Sequence, residues 1–285
     1  YGQNAINVSK AVSFTIDLNG YTISADTGNS VLRFNIAGSG ATSNVTLTLK
    51  NGKIVAGANT WCTVMASGID ANTLAVMNLE NMTIESSKAG DLAVKAWSNA
   101  LINANKVTLN TTNAAGGFYA LGGEIVLDNC TVNQEGLHTA PYLSMAIGVS
   151  NGGKATVNSG TYSAVPTAAE EGYNQGTSHG SWVAGVMSSG GTLVINGGTF
   201  ANGNYGDDSL ATAARALLCI DAGGRLEING GTFNALDSII YLINNIGNAS
   251  LNPTAQVTGG NFSSINNTGY GSKTILDILS EEYLV

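Results

Sequence analysis

Three observations predict an all-β fold: a right-handed, single-stranded parallel β-helix of about nine coils with a C-terminal cap. A six-residue unit recurs nine times along the 285 residues. A second β-rich stretch lies between consecutive units, and the bends inside the units carry asparagine or glycine. Repeats at a period of 20–50 residues are the sequence mark of a solenoid, in which each repeat buries its apolar face only against its neighbours.

The unit is an aliphatic residue, two turn-type residues, a variable residue, usually threonine, then an aliphatic or aromatic. It reads L-N-G-Y-T-I at 18–23, L-K-N-G-K-I at 49–54, L-E-N-M-T-I at 79–84, A-N-K-V-T-L at 104–109 and L-D-N-C-T-V at 127–132. It continues as V-N-S-G-T-Y at 157–162, I-N-G-G-T-F at 195–200 and 228–233, and V-T-G-G-N-F at 257–262. The final apolar residues are spaced by 31, 30, 25, 23, 30, 38, 33 and 29. The intervening stretches are 31–37, 61–66, 92–97, 118–122, 143–149, 182–187, 216–220 and 239–243.

Helices cannot produce this pattern, because the apolar residues alternate with period two and the bends need a left-handed backbone that Asn and Gly tolerate. A propeller blade needs four strands in about 40 residues, and a spacing of 23 leaves no room for them. One turn of solenoid per repeat remains. Each coil then rises by about 4.8 Å. Right-handedness is expected because parallel crossovers overwhelmingly take that hand. Leu, Ile and Val stack inside, while Thr22, Thr83, Thr108, Thr131, Thr161, Thr199 and Thr232 form an outward row. One domain spans 1–285, with coils over 13–271; residues 272–285, with Ile275, Leu276, Ile278, Leu279, Tyr283 and Leu284 on one apolar face, read as a cap for the open sheet edges.

Only 11% of residues are charged, whereas glycine (37) and asparagine (33) are in excess and prolines number three. That composition suits a fold that stacks asparagine and threonine in ladders. A net charge of −8 argues against nucleic acid, which needs clustered Lys and Arg. No apolar run reaches the roughly 20 residues of a membrane span, so no membrane insertion is expected. The abrupt ends read as those of a fragment from a longer protein, whose other domains would carry any export signal or anchor. Cys62, Cys130 and Cys219 have no metal-type spacing and read as buried free thiols.

The repeat swells in three consecutive coils at the same phase, at 133–142, 163–181 and 201–215. Same-phase loops on adjacent coils project from one face about 5 Å apart. They bring together His138, His179, Glu135, Glu170, Glu171, Asp207, Asp208, Tyr142, Tyr173 and Tyr205, with Trp182 at the edge. Aromatic plates beside carboxylates and amides suit a sugar: the ring stacks on the apolar face of a pyranose and polar groups bond its hydroxyls. The ligand-binding set expected is His138, Tyr142, Tyr173, His179, Trp182, Tyr205, Asp207 and Asp208. For Trp61 and Trp97, packing beneath a loop is the default.

The G-G-T-L-V-I-N-G-G-T-F repeats, followed by I-L-D-I-L-S-E-E-Y, resemble the β-helix segments of large surface proteins from Gram-positive gut bacteria. More broadly, the chain from Phe14 to Val285 is similar to the pectate-lyase-like superfamily. That resemblance implies the β-helix fold, secretion and attachment to a cell surface. Because the superfamily contains lyases, glycosidases, tailspikes and adhesins, it implies no particular activity.

Two kinds of catalysis are conceivable on such a face. Glycoside hydrolysis needs two carboxyls about 5.5 Å apart for retention or about 6.5–9.5 Å for inversion. Asp207 or Asp208 could pair with Glu170 or Glu171, with His179 nearby. Polygalacturonase-like enzymes carry N-T-D, D-D, G-H-G and R-I-K in order, whereas here S-H-G precedes D-D and the other two are missing. Lyase chemistry of the pectate-lyase kind uses aspartate-held calcium and a basic residue; Arg215 is the sole plausible base, an ion-pair role fits it better, and no acid-rich calcium loop or G-G-x-G-x-D repeat appears. No cofactor is therefore expected, with calcium the one alternative left open and no motif to support it. Ice binding needs a second threonine row, which Ser24, Glu85, Asn110, Asn133, Ser163, Ala201 and Asn234 do not supply. The sequence thus favours an extracellular adhesion or binding module that engages a glycan or host glycoprotein through 133–215. A carbohydrate-active enzyme and a structural stalk are the alternatives.

Overall fold

The structure is a computed structural model that describes residues 4–87, 92–113, 116–135, 145–165, 182–187, 190–202, 217–221, 223–235, 240–242, 253–264 and 267–269. It is all-β, with no helix among the described residues, and its strands form two long sheets in which every ladder is parallel. The first sheet has ten strands in chain order: Ile6–Val8, Ser30–Asn35, Cys62–Ser67, Leu92–Trp97, Gly116–Leu121, Ile147–Ser150, Ala184–Val186, Leu218–Ile220, Ile240–Leu242 and Asn267–Gly269. The second has sixteen, and between visits to the first sheet the chain crosses it twice, once on each side of a bend. Val45–Ala56 and Ala75–Ser86 run through the bend as single strands, whereas Glu124–Asp128 and Cys130–Glu135 are separate strands on its two sides. Each strand pairs with its equivalent one repeat away, an arrangement consistent with a parallel β-helix or solenoid.

Register explains why the repeat must be kept. Met77, Ile102, Ile125, Ala155, Leu193 and Leu226 are successive partners and form one buried column. A one-residue slip would move each of them to the outer face. A second column changes character along the molecule. Val132 is followed by Tyr162, Phe200, Phe233 and Phe262, whose rings stack at centroid distances of 5.0, 5.2 and 5.0 Å. Stacked pairs of this kind contribute about 0.5–1.5 kcal/mol each beyond burial.

The switch to aromatics coincides with a change in the bend. In the earlier units the left-handed residue is Asn51, Asn81, Lys106 or Asn129, with φ of 58°, 53°, 54° and 52°. From Gly160 onward it lies one position later and is glycine: Gly160, Gly198, Gly231 and Gly260, with φ of 125°, 102°, 110° and 125°. Those angles lie beyond the ordinary left-handed well, where only glycine is comfortable. At Gly231 and Gly260 a side chain would also crowd the rings of Phe233 and Phe262.

The expected ladders are present. Asn229 donates to Asn196 (2.9 Å), Asn196 to Asn158 (3.0 Å), and the Thr258 hydroxyl to Asn229 (2.8 Å). Asn103 donates to Asn78 and Asn78 to Thr48, and Asn133 donates to Asn110. The threonine row is also in register, with Lys53 standing between Thr22 and Thr83 and paired to Glu85 at 2.8 Å. All three cysteines are buried and free. Burial raises the Cys130 thiol to about 11 and pushes Cys219 up as well.

Candidate functional site

The first sheet is largely buried on both faces. Leu32, Phe34, Val64, Val94, Phe118, Ile147 and Val149 point into the core. Residues that alternate with these face outward: Arg33, Met65, Lys95, Tyr119, Gly148, Gly185 and Cys219 are successive partners in one row. A water-facing row would be polar and exposed, yet Met65, Lys95, Tyr119 and Cys219 are buried. Tyr119 and Cys219 join Leu92, Met145, Trp182 and Met187 in a cluster separate from the main core. The Tyr119 ring lies across Gly148, where any side chain would collide with it, and the Met145 sulfur closes over Gly185. Two glycines therefore give a tyrosine and a methionine room to lie flat on the sheet. Burial holds the Tyr119 hydroxyl protonated far above its ordinary range.

At the ends of its strands the same face is less covered, with Asn35, Ser67 and Leu121 half-buried. Trp97 ends its strand 40% exposed and half-buried Trp61 lies beside it, with ring centroids 6.2 Å apart and planes inclined at 59°. The Lys95 ammonium lies 3.4 Å from the centroid of Trp61 and 5.0 Å from that of Trp97. The two indoles thus make an aromatic corner with a cation set into it.

Both rings stand on fixed turns. Trp61 follows a turn in which Thr60 N–H donates to Gly57 and the Thr60 hydroxyl donates to Ala25. Asn59 donates to Asp26 through both its backbone and side-chain amides, and the Trp61 N–H donates to Asn29. Trp97 bridges to Gly122, and the next turn is tied by Ser98 N–H to Leu121 and by the Asn99 side chain to Ile69. A platform held this way loses little conformational freedom when a ligand lands on it.

One further depression, of about 320 Å³, is lined by Val55, Ala56, Glu85, Ser86, Ser87, Asn110 and Thr112 on the second sheet. Its single carboxylate is the one paired with Lys53, and it has no aromatic plate.

Comparison with known families, curated proteins and solved structures gives no match. The site must be read from its own geometry.

Of the residues that the sequence marked for ligand binding, Trp182 is described, 1% exposed and packed in the outer cluster. His138, Tyr142, Tyr173, His179, Tyr205, Asp207 and Asp208 lie outside the described residues, as do Glu170, Glu171, Arg215 and the cap at 272–285. Glu135, at the edge of the first insertion, ends a strand and is exposed. Among the described residues no group of three or more His, Cys, Asp or Glu could hold a metal ion. Sequence reading missed the Trp61–Lys95–Trp97 corner. The available signal was three tryptophans placed at the ends of first-sheet strands.

Proposed function

We propose that the chain is a saccharide-binding module of an extracellular bacterial surface protein, built on a right-handed parallel β-helix of about nine coils related to the pectate-lyase-like superfamily. The observation that carries this reading is the aromatic corner of Trp61 and Trp97. An exposed indole on a rigid turn, with a second indole tilted beside it, offers stacking faces for the apolar side of a pyranose. Burying such a ring against a ligand removes apolar area that water otherwise covers.

The position on the fold supports the same reading. Insertions 133–142, 163–181 and 201–215 lead into Ile147–Ser150, Ala184–Val186 and Leu218–Ile220, all strands of the sheet that carries the corner. Two strand spacings, about 10 Å, separate the strand of Trp97 from the first of these. A linear glycan is long enough to span that distance. A glycan array comparing the wild-type chain with Trp97→Ala tests the reading. Saccharide binding that disappears with the exposed indole supports it, and a wild-type chain that binds nothing on the array overturns it.

A further inference from the structure

We infer that the N-terminal end of the two sheets is an interface between two copies of the chain, which meet end to end about a two-fold axis. Of the five large hydrophobic side chains exposed among the described residues, three lie in the first repeat: Val12 at 61%, Phe14 at 38% and Tyr21 at 74%. The core beside them is open too. Ile6, Val8, Ile16 and Ile23 are only half-buried, whereas their register partners one repeat on, Leu32, Phe34, Leu49 and Ile54, are fully buried. The inward columns therefore reach this end unfinished. The backbone ladders do the same: among the described residues, Ile6–Val8, Phe14–Asp17 and Thr22–Ala25 each pair with a strand on one side only.

An open edge of this kind is a template for another chain, and proteins blunt it with Lys, Pro or a bulge. These three strands contain no Lys, Arg or Pro. Their one acid, Asp17, accepts from Asn51 and lies 3.6 Å from Lys50, so it is turned back onto the next repeat and does not guard the edge. A partner has to match three strand edges and the apolar columns between them at once. A single added strand covers one edge, whereas the same end of a second copy presents all three. Charge favours that copy. The chain carries −8, so two copies repel over most of their surface, yet residues 4–25 hold only Lys10 and Asp17 and are neutral together. A two-fold axis across the stack sets each edge against an antiparallel strand, and such an isologous contact closes at two copies without growing into a fibre. Residues 4–25 also match the roughly 20–30 residues that each side of a standard interface uses.

Sedimentation of the intact chain across a concentration series should show a reversible equilibrium between monomer and dimer. Phe14→Lys and Tyr21→Lys each bring like charges together across the two-fold and should weaken the dimer by about tenfold or more. Val165→Lys, at an exposed apolar residue away from this end, should leave the dimer unchanged. Which end is used is read separately, from a nitroxide attached at Ser43→Cys or at Asn234→Cys. Both positions are exposed and the three native thiols are buried, so the label goes where it is placed. Dipolar spectroscopy should find the Ser43 labels of a dimer closer together than the Asn234 labels, because Ser43 follows the second first-sheet strand and Asn234 lies toward the far end. A monomer at every concentration overturns the inference and leaves this end to a partner of another kind. A dimer indifferent to both lysines overturns it as well, and so does the reverse order of label distances. If Phe14→Lys fails to fold, Tyr21→Lys, at the more exposed side chain, still decides the matter.

Discussion

The ammonium of Lys95 lies 3.4 Å from the ring centroid of Trp61, a residue from the preceding coil. This contact ties the turn before Cys62–Ser67 to the outward side chain of the next strand, in addition to the backbone ladder. A cation–π pair with low exposure is worth about 1–2 kcal/mol. A double-mutant cycle with Trp61→Leu and Lys95→Met should therefore give a coupling of about 1–2 kcal/mol in chemical denaturation. Additive effects would mean that the two side chains are neighbours without being partners.

Lys106 occupies a bend position that asparagine fills in other coils, at φ 54° and exposed. A lysine in that region costs about 1 kcal/mol relative to residues that tolerate it. Lys106→Asn should therefore stabilise the chain by about 0.5–1 kcal/mol, read as a higher denaturation midpoint. The backbone bond from the Lys106 N–H to Asp128 needs no side chain and should survive.

Phe233 is stacked between Phe200 and Phe262 and is fully buried. Phe233→Ala should cost about 3–5 kcal/mol, from lost burial and the cavity left behind. Gly231→Ala should also destabilise the chain, because it forces a side chain onto a backbone at φ 110° beside the Phe233 ring. Thermal unfolding of both variants checks the pair.

The Asp17 carboxyl is held below its ordinary value of 3.8, chiefly by the Asn19 backbone N–H and then by the Asn51 side-chain amide, with Lys50 adding to the effect. A depressed folded-state value means that this contribution is complete above the unfolded value and is lost as pH falls through the folded one. Stability measured from neutral pH into the acid range should fall less steeply in Asp17→Asn than in the wild type below about pH 4. An unchanged slope would show that these bonds do not favour the carboxylate.

The scaffold was legible in the sequence because its information is local and repeated. Leu127, Asn129 and Val132 fall within six residues, and each type recurs at its place in other coils, so period and bend chemistry announce strands, a turn and a core column. The asparagine ladders were legible for the same reason: Asn158, Asn196 and Asn229 occupy one position of one unit. The aromatic corner was not legible. Trp61 and Lys95 belong to different coils, and their meeting depends on the register of Cys62 with Leu92 and on two turns outside the repeat. Nor does the sequence show that the outward row through Tyr119 is buried, because period two marks alternation and cannot say whether a face is covered. His138, Tyr173, His179 and the acids at 207 and 208 lie in the insertions, beyond the repeat that made the rest readable.

The corner can be watched directly, since the chain has three tryptophans and so three indole N–H signals. The protein would be labelled with ¹⁵N-tryptophan and titrated with the tightest-binding saccharide from the array. The account predicts that the Trp61 and Trp97 signals move together and saturate, while Trp182, packed in the outer cluster, moves less. Movement of Trp182 alone, or saturable binding that leaves Trp61 and Trp97 in place, would contradict it.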